Sequence, residues 1–325
     1  MTTKAVSKKV IRFYDDQPPQ KDMASEVKQG LSLEKKALPA KFFYDERGSK
    51  LFEIITHLPE YYVTRTEINL LRSILPELKT LIGNDPNIQL YEYGSGASIK
   101  IRLLLQAIKP KLYIPMDISK DFLLWSADRL VEDYPWLDVY AACVDYSQPI
   151  SLPTDMLGNG QKLGFFPGSS IGNFNPTEAE QFLSRVKTTL GKKGSLLIGV
   201  DLKKDKQILE NAYNDCQGVT AAFNKNVLTH INEKLHANFD LNRFDHCSIY
   251  NEQEGRIEMH LNSTVDQIIT VDEQSFAFKQ GESIHTENSY KYSPEEFSQL
   301  AKRAGFNVEK IWTDKKDYFG LFYLN

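Results

Sequence analysis

The chain has 325 residues, 41% of them hydrophobic and 25% charged, an ordinary globular composition with room for one large domain or two coupled ones. Its formal net charge of −4 argues against a nucleic-acid partner, because binding a phosphate backbone needs clustered Lys and Arg to release counterions; a small molecule is the expected partner. Three cysteines, Cys143, Cys216 and Cys247, stand far apart with no CxxC pair, so neither a disulfide scaffold nor a zinc site is expected.

Residues 1–22 are polar, include Pro18 and Pro19 and show little periodicity, and are expected to form a loosely held arm. They lack the apolar segment of an export signal, and no apolar run approaches the ~18–20 residues that span a bilayer. A cytoplasmic protein without a membrane partner is expected. From about Ser25 to Gly83 the pattern is helical, with Leu51, Phe52, Ile55 and Leu58 at helical spacing, then Leu70, Leu71, Ile74, Leu75 and Leu78. An aromatic loop, PEYYVTRTE, joins these helices.

From Ile88 the texture changes to short apolar runs alternating with amphipathic stretches: IQLYEYG, SIKIRLLLQAI, KLYIPMDI, KDFLLWSADRLVEDY and LDVYAACVDY. Strand, helix, strand, helix, strand predicts a parallel sheet covered on both faces. KLGFFPG and SLLIGVDL continue it as strands around the helical TEAEQFLSRVKTTL. After Asp201 a mostly helical stretch runs to about Leu235, and HCSIYNEQ, RIEMHLNSTV and QSFAFKQ then read as antiparallel strands. A last helix, PEEFSQLAKRAGF, and the strands NVEKIWT and YFGLFYL are expected to complete the edge of an open α/β sheet.

The sharpest local signal is YEYGSGASIK, residues 91–100, where a predicted strand enters a Gly-Ser-Gly turn before a helix. Gly94 and Gly96 let the backbone approach a ligand, with Tyr93 and Ser95 beside them. A dinucleotide fingerprint wants G-x-G-x-x-G, but Ile99 occupies the third glycine position. The next strand instead ends in Asp117-Ile118, placed to hold ribose hydroxyls at the switch point of the sheet. The strand after that ends in Asp145-Tyr146, apt to grip an adenine amino group and cover the ring. Three ligand-like features at three successive strand ends point to S-adenosylmethionine as the cofactor. Ser119 is the expected N-cap of the following helix, which frees Asp117 for the ligand. Lys100 is open to two readings, a cofactor contact or a solvated helix residue.

The strings LPAKFFYDERGSKLFEIITHLPEYYVTRTE, YEYGSGASIKIRLLL, YIPMDIS, FFPGSSIGNF, AYNDCQGVTAAFNKNVL, RIEMHL and GESIHTENSYKY together resemble the histidine-specific α-N-methyltransferases of ergothioneine biosynthesis, over nearly everything after about residue 35. The resemblance implies an α/β fold: a Rossmann-like class I methyltransferase core (81–201 with 291–325) and a second α+β substrate domain (23–80 with 202–290). It further implies trimethylation of L-histidine to hercynine, with the mono- and dimethylated forms passing through the same pocket. By the same resemblance Asn173 and Tyr213 would hold the substrate's amino-acid end, as an amide and a phenol suited to carboxylate and amine. Gly168 and Ser170 would line the same pocket. Met259, Glu287 and Ser289 would surround the imidazole, with Glu287 accepting the ring N–H. Either Tyr61 or Tyr62 would also contact the ring. Two departures stand out: Gly168-Ser169-Ser170 replaces the more usual Gly-Gly-Thr, and Val63 stands where proline is common.

Methyl transfer to an amine depends on positioning more than on acid–base strength, and no dedicated base is evident. The six histidines show no HExxH or other ligand pattern, so no metal is expected, and a monomer is. Two other readings remain open here: an enzyme for another free amino acid such as an indole one, and a non-catalytic module that binds cofactor or histidine.

Overall fold

The computed structural model describes residues 12–16, 23–96, 99–146, 148–150, 152–153 and 159–325. A short strand, β1 (Arg12–Asp16), is followed by three helices, α1 (Met23–Leu31), α2 (Glu46–Ile55) and α3 (Tyr62–Ile82). The strand corrects the expectation of a loose arm for that part of 1–22: Arg12–Asp16 pairs in parallel with Tyr140–Val144. Its alternation sends Phe13 and Tyr14 into the two different cores, but five residues are too few to register as periodicity. The rest of the predicted arm lies outside the described residues.

Alternation of strand and helix then runs as the sequence predicts: β2 (Gln89–Tyr93), α4 (Ile99–Ile108), β3 (Leu112–Asp117), α5 (Lys120–Asp133), β4 (Asp138–Val144), β5 (Lys162–Phe166), α6 (Pro176–Leu190) and β6 (Ser195–Asp201). The helix starts are chemically marked. Asn175 and Glu178 form a reciprocal capping box before α6, with Pro176 at the first helical position. Next come α7 (Lys206–Ala212), α8 (Val219–Leu235) and five strands, β7 (Phe244–Asn251), β8 (Arg256–Ser263), β9 (Gln267–Val271), β10 (Gln274–Phe278) and β11 (Ser283–Tyr290). The chain closes with α9 (Pro294–Arg303), β12 (Val308–Thr313) and β13 (Phe319–Leu324).

The large sheet has the order β1-β4-β3-β2-β5-β6-β13-β12. All neighbours are parallel up to β6, and β13 alone runs against the others, antiparallel to both β6 and β12. This is the expected Rossmann-like α/β core, closed by its C-terminal hairpin. Both faces are covered, so β2 and β6 are buried along their whole length. Chain order reverses between β2 and β5, and the crevice at such a switch point, beyond the carboxyl ends of the strands, is where open α/β sheets bind ligands.

A second layer holds the antiparallel sheet β11-β8-β7 and the hairpin β9-β10. Helix α8 packs on α2, β7 and β8, and the turn after β5 lies against β11. Helix α3, expected in the second domain, packs on α4, β12 and β13 of the large sheet.

Candidate active site

Beyond the end of β2 the backbone turns at Gly94, whose φ of 72° suits glycine. The Gly94 and Ser95 N–H groups donate to the Met116 carbonyl at 2.9 and 3.1 Å, which stitches the turn to β3. A side chain at Gly94 would sit 3.2 Å from the Tyr146 hydroxyl, so the missing Cβ lets Tyr146 lie across the turn. Tyr146 is held edge-on by Tyr93, Phe166 and Phe182. Tyr93 is itself only 2% exposed; its ring backs Tyr146 from the core.

Asp117 ends β3. Its carboxylate accepts the Ser119 N–H at 2.9 Å, and the backbone dipoles of Gly96, Ile118 and Ser95 also favour its ionised form. Burial pushes its pKa up, and these groups pull the other way. Ser119 occupies the N-cap of α5 as expected, although its hydroxyl makes no cap bond; Asp117 accepts the N–H of Ser119 itself, just ahead of the helix. Ile118 is 41% exposed at the same strand end, and Asp145 follows β4 directly. An acid beside a glycine turn, an exposed aliphatic and a caged tyrosine suit a nucleoside with ribose hydroxyls.

Lys100 is not solvated. Its Nζ lies 2.6 Å from Glu67 Oε2, and Glu67, from the first turns of α3, is 0% exposed. Both Glu67 oxygens accept the Gly168 N–H at 3.0 Å. Lys100 and Glu67 thus join the helix after the glycine turn to the turn after β5. Glu67 closes the PEYYVTRTE string, but a lone acid on a helix face gives no sequence sign of such a partner.

The turn after β5 contains Gly168, Ser169 and Ser170 and leads into a 3-10 turn, Ser170–Asn173. Gly172 packs so closely on β11 that a Cβ would lie 2.7 Å from the Tyr290 carbonyl oxygen, which fixes the turn against that strand. Ser170 Oγ donates to the Pro167 carbonyl at 3.1 Å, and Ser169 Oγ accepts the Asp201 N–H at 2.8 Å.

These residues form one wall of a cavity. Its lining includes Gly168, Ser170, Asn173, Tyr213, Met259, Glu287 and Ser289, so residues from four distant segments named by the sequence meet. Tyr61 lines it as well, in an edge contact with Tyr213. Tyr62 does not, which corrects its inclusion among the pocket residues. As the first residue of α3 it turns toward the sheet, donating to both Asp201 oxygens at 2.8 and 3.0 Å and packing on Tyr318.

Glu287 and Met259 are register partners on β11 and β8. Met259 is 1% exposed, and the Glu287 carboxyl is raised to about 7 by burial, opposed by the charge of Lys291. Tyr213 ends α7 with its hydroxyl donating to Ser289 Oγ at 2.9 Å, and its pKa is also driven up by burial. Behind it His246 bonds through Nε2 to the Tyr213 carbonyl at 2.9 Å and through Nδ1 to Asn224 Nδ2 at 2.8 Å. The carbonyl needs a donor and the amide NH₂ needs an acceptor, so the ring carries its proton on Nε2. Asn224 Oδ1 accepts from Thr286 Oγ1 at 2.7 Å, which ties α8 to β11.

Sequence reasoning missed part of the lining: Tyr44, Phe52, Thr220 and Phe223. Tyr44, Phe52 and Phe223 form an aromatic cluster, and all four lie inside strings quoted above. Their helical spacing reads only as core. It also missed that Glu258, His260 and His285 bring three ligand-type atoms within 4.8 Å of one another, which corrects the statement that the histidines join no such cluster. Glu258 is already engaged there by Arg256 at 2.8 Å and Asn251 at 3.0 Å, and its carboxyl is held down to about 2, burial being outweighed by those bonds.

Residues 23–325 match the family model for histidine-specific, S-adenosylmethionine-dependent methyltransferases. The chain is 40% identical to a histidine N-alpha-methyltransferase of Mycolicibacterium smegmatis over 91% of its own length and 92% of the relative's. With the histidine N-alpha-methyltransferase of Mycobacterium tuberculosis the identity is 38% over the same shares. It is also 32% identical to ergothioneine biosynthesis protein 1 of Neurospora crassa, covering 86% of this chain and 32% of that longer one. By that match and these identities, the chain belongs to the family of histidine-specific, S-adenosylmethionine-dependent methyltransferases.

Proposed function

We propose that the chain transfers methyl groups from S-adenosylmethionine to the α-amino nitrogen of L-histidine, three in turn, yielding hercynine as a step towards ergothioneine. The observation that carries this reading is the cavity's pairing of two chemistries. The hydroxyls of Tyr213 and Ser289, bonded at 2.9 Å, lie in one lining with the Met259–Glu287 pair and Asn173.

S-adenosylmethionine supplies a methyl carbon made electrophilic by its sulfonium, and transfer is an in-line displacement that needs the nitrogen lone pair within ~3–3.5 Å. The protein's task is therefore to hold and orient. Gly94, Ser95 and Gly96 form the turn that admits the cofactor. Asp117 would accept the ribose hydroxyls, Ile118 and Tyr146 would offer the adenine an apolar seat, and Asp145 would accept from its amino group. Tyr93 acts through Tyr146, and Lys100 through Glu67. Asn173 and Tyr213 hold the amino-acid end, with Gly168 and Ser170 shaping the turn beneath it. Glu287, ionised, accepts the imidazole N–H, and Tyr61 and Met259 flank the ring. A free amine beside a sulfonium needs no strong base, because the neighbouring charge lowers its pKa.

The net charge of −4 supports a small-molecule partner over a nucleic acid, and no helix among the described residues is long and apolar enough to cross a membrane. Action as a cytoplasmic monomer completes the proposal.

The test incubates the protein with methyl-labelled S-adenosylmethionine and a panel of free amino acids, and weighs the products. Histidine alone should gain methyl groups, up to three. Asn173→Ala and Tyr213→Phe should each lose most methylation while keeping cofactor affinity. Equal methylation of tryptophan or phenylalanine, or parental rates in both variants, would overturn the assignment.

A further inference from the structure

Lys291 follows β11 and is 2% exposed. Its ammonium has three hydrogens and three acceptors: Asp201 Oδ2 at 2.7 Å, Ser289 Oγ at 2.8 Å and Tyr213 Oη at 3.0 Å. Asp201, also fully buried, is shared with Lys204 at 2.6 Å and with the Tyr62 hydroxyl. Asp201 is held below its usual range, burial being outweighed by the two ammonium groups. Lys291 and Lys204 share Asp201 behind the cavity wall, and the charge of Lys291 is also felt by Glu287 across the cavity.

The hydrogen-bond count has a directional consequence. Tyr213 Oη accepts from Lys291 and gives its own proton to Ser289. Ser289 Oγ accepts from both Lys291 and Tyr213, so its two lone pairs are used and only its O–H remains. Ser289 lines the cavity and is bonded to Tyr213, which sets it beside the amino-acid end and not, as the resemblance implied, around the imidazole; its O–H is the group it offers there. A donor suits a carboxylate or the lone pair of a free amine, and it repels an ammonium, which needs an acceptor.

We propose that Lys291 is a positioning residue: anchored on Asp201, it fixes the hydroxyl directions of Tyr213 and Ser289 so that the amino-acid end of the substrate meets a donor backed by positive charge. Lys291 thereby selects substrates that carry a carboxylate and presents their amine unprotonated. This rests on the histidine reading above and assigns a role to a residue outside the cavity lining.

The experiment compares the parent with Lys291→Met, Lys291→Arg, Ser289→Ala and the double variant Lys291→Met/Ser289→Ala. It reads methyl transfer to histidine, competition by histamine, which lacks the carboxylate, and S-adenosylhomocysteine affinity by calorimetry. Lys291→Met should raise the KM for histidine at least tenfold and narrow the preference for histidine over histamine, with cofactor-analogue affinity within about threefold of the parent. Lys291→Arg should restore part of the loss. Because Lys291 acts through the hydroxyls, Ser289→Ala should cost under about threefold more in the Lys291→Met background, well below its cost alone. A folded Lys291→Met protein with parental KM and parental histamine discrimination overturns the inference, and so do losses that multiply in the double variant. If Lys291→Met does not fold, the Arg variant decides: unchanged KM and discrimination after loss of the compact ammonium overturn it, and a raised KM with normal analogue affinity supports it. Failure of the parent itself to methylate histidine would instead sink the underlying function, so the two failures are distinguishable.

Discussion

Glu287 stands directly opposite Met259, and it does so because the register of β11 on β8 shifts between His285 and Glu287. His285 pairs with His260, and the next paired residue is Glu287 with Met259. The unpaired Thr286 turns inward to Asn224 and the Met259 carbonyl. A bulge re-aims the side chains that follow it, and here it turns the one carboxyl of β11 into the cavity.

Removal of that carboxyl should relax specificity. Glu287→Ala should lower kcat/KM for histidine by tenfold or more, about 1.4 kcal/mol per decade, because the imidazole N–H loses its acceptor. The ratio of histidine to phenylalanine or tryptophan turnover should narrow in the same assay. An unchanged ratio in a folded variant would move recognition of the ring to Tyr61.

Acidity should separate ligand-free stability from binding. A carboxyl raised to about 7 by burial favours the folded state while protonated; that contribution is complete below its ordinary range and is lost as pH rises through about 7. The parent should therefore lose thermal stability relative to Glu287→Gln between about pH 4.5 and 7, and its histidine affinity should climb over the upper part of that range as the carboxylate forms. Parallel stability curves for the two proteins would show that the Glu287 carboxyl is not raised by its surroundings.

Cofactor binding should depend on Asp117. Asp117→Ala removes the acceptor for two ribose hydroxyls, worth roughly 2–4 kcal/mol, and also frees the Ser119 N–H it now binds. Calorimetry should find S-adenosylhomocysteine binding lost or weakened at least thirtyfold, and near-parental affinity would displace the site from this turn.

Glu67→Gln should damage both halves together. It strands the buried Lys100 ammonium and weakens the anchor of the Gly168 N–H, and breaking such a pair typically costs about 3–5 kcal/mol. A lowered thermal midpoint with parallel losses of cofactor and histidine affinity is expected. Loss of one affinity alone would mean that Lys100 and Gly168 are not coupled through Glu67.

What could be read from the linear chain was local. The alternation of strand and helix from Ile88 onward, the glycine turn and the acids at Asp117 and Asp145 follow from periodicity and turn chemistry, which act over a few residues. The quoted strings added Asn173, Tyr213, Met259, Glu287 and Ser289, and these do share one cavity. Tertiary structure decided the rest, because it depended on groups far apart in the chain. The pairing of Arg12–Asp16 with β4, the diversion of Tyr62 to Asp201, the bridge from Lys100 through Glu67 to Gly168 and the hold of Lys291 on Tyr213 are long-range contacts. A buried charge takes whichever partner the fold brings within ~3 Å, and no spacing along a single strand or helix states which partner that will be.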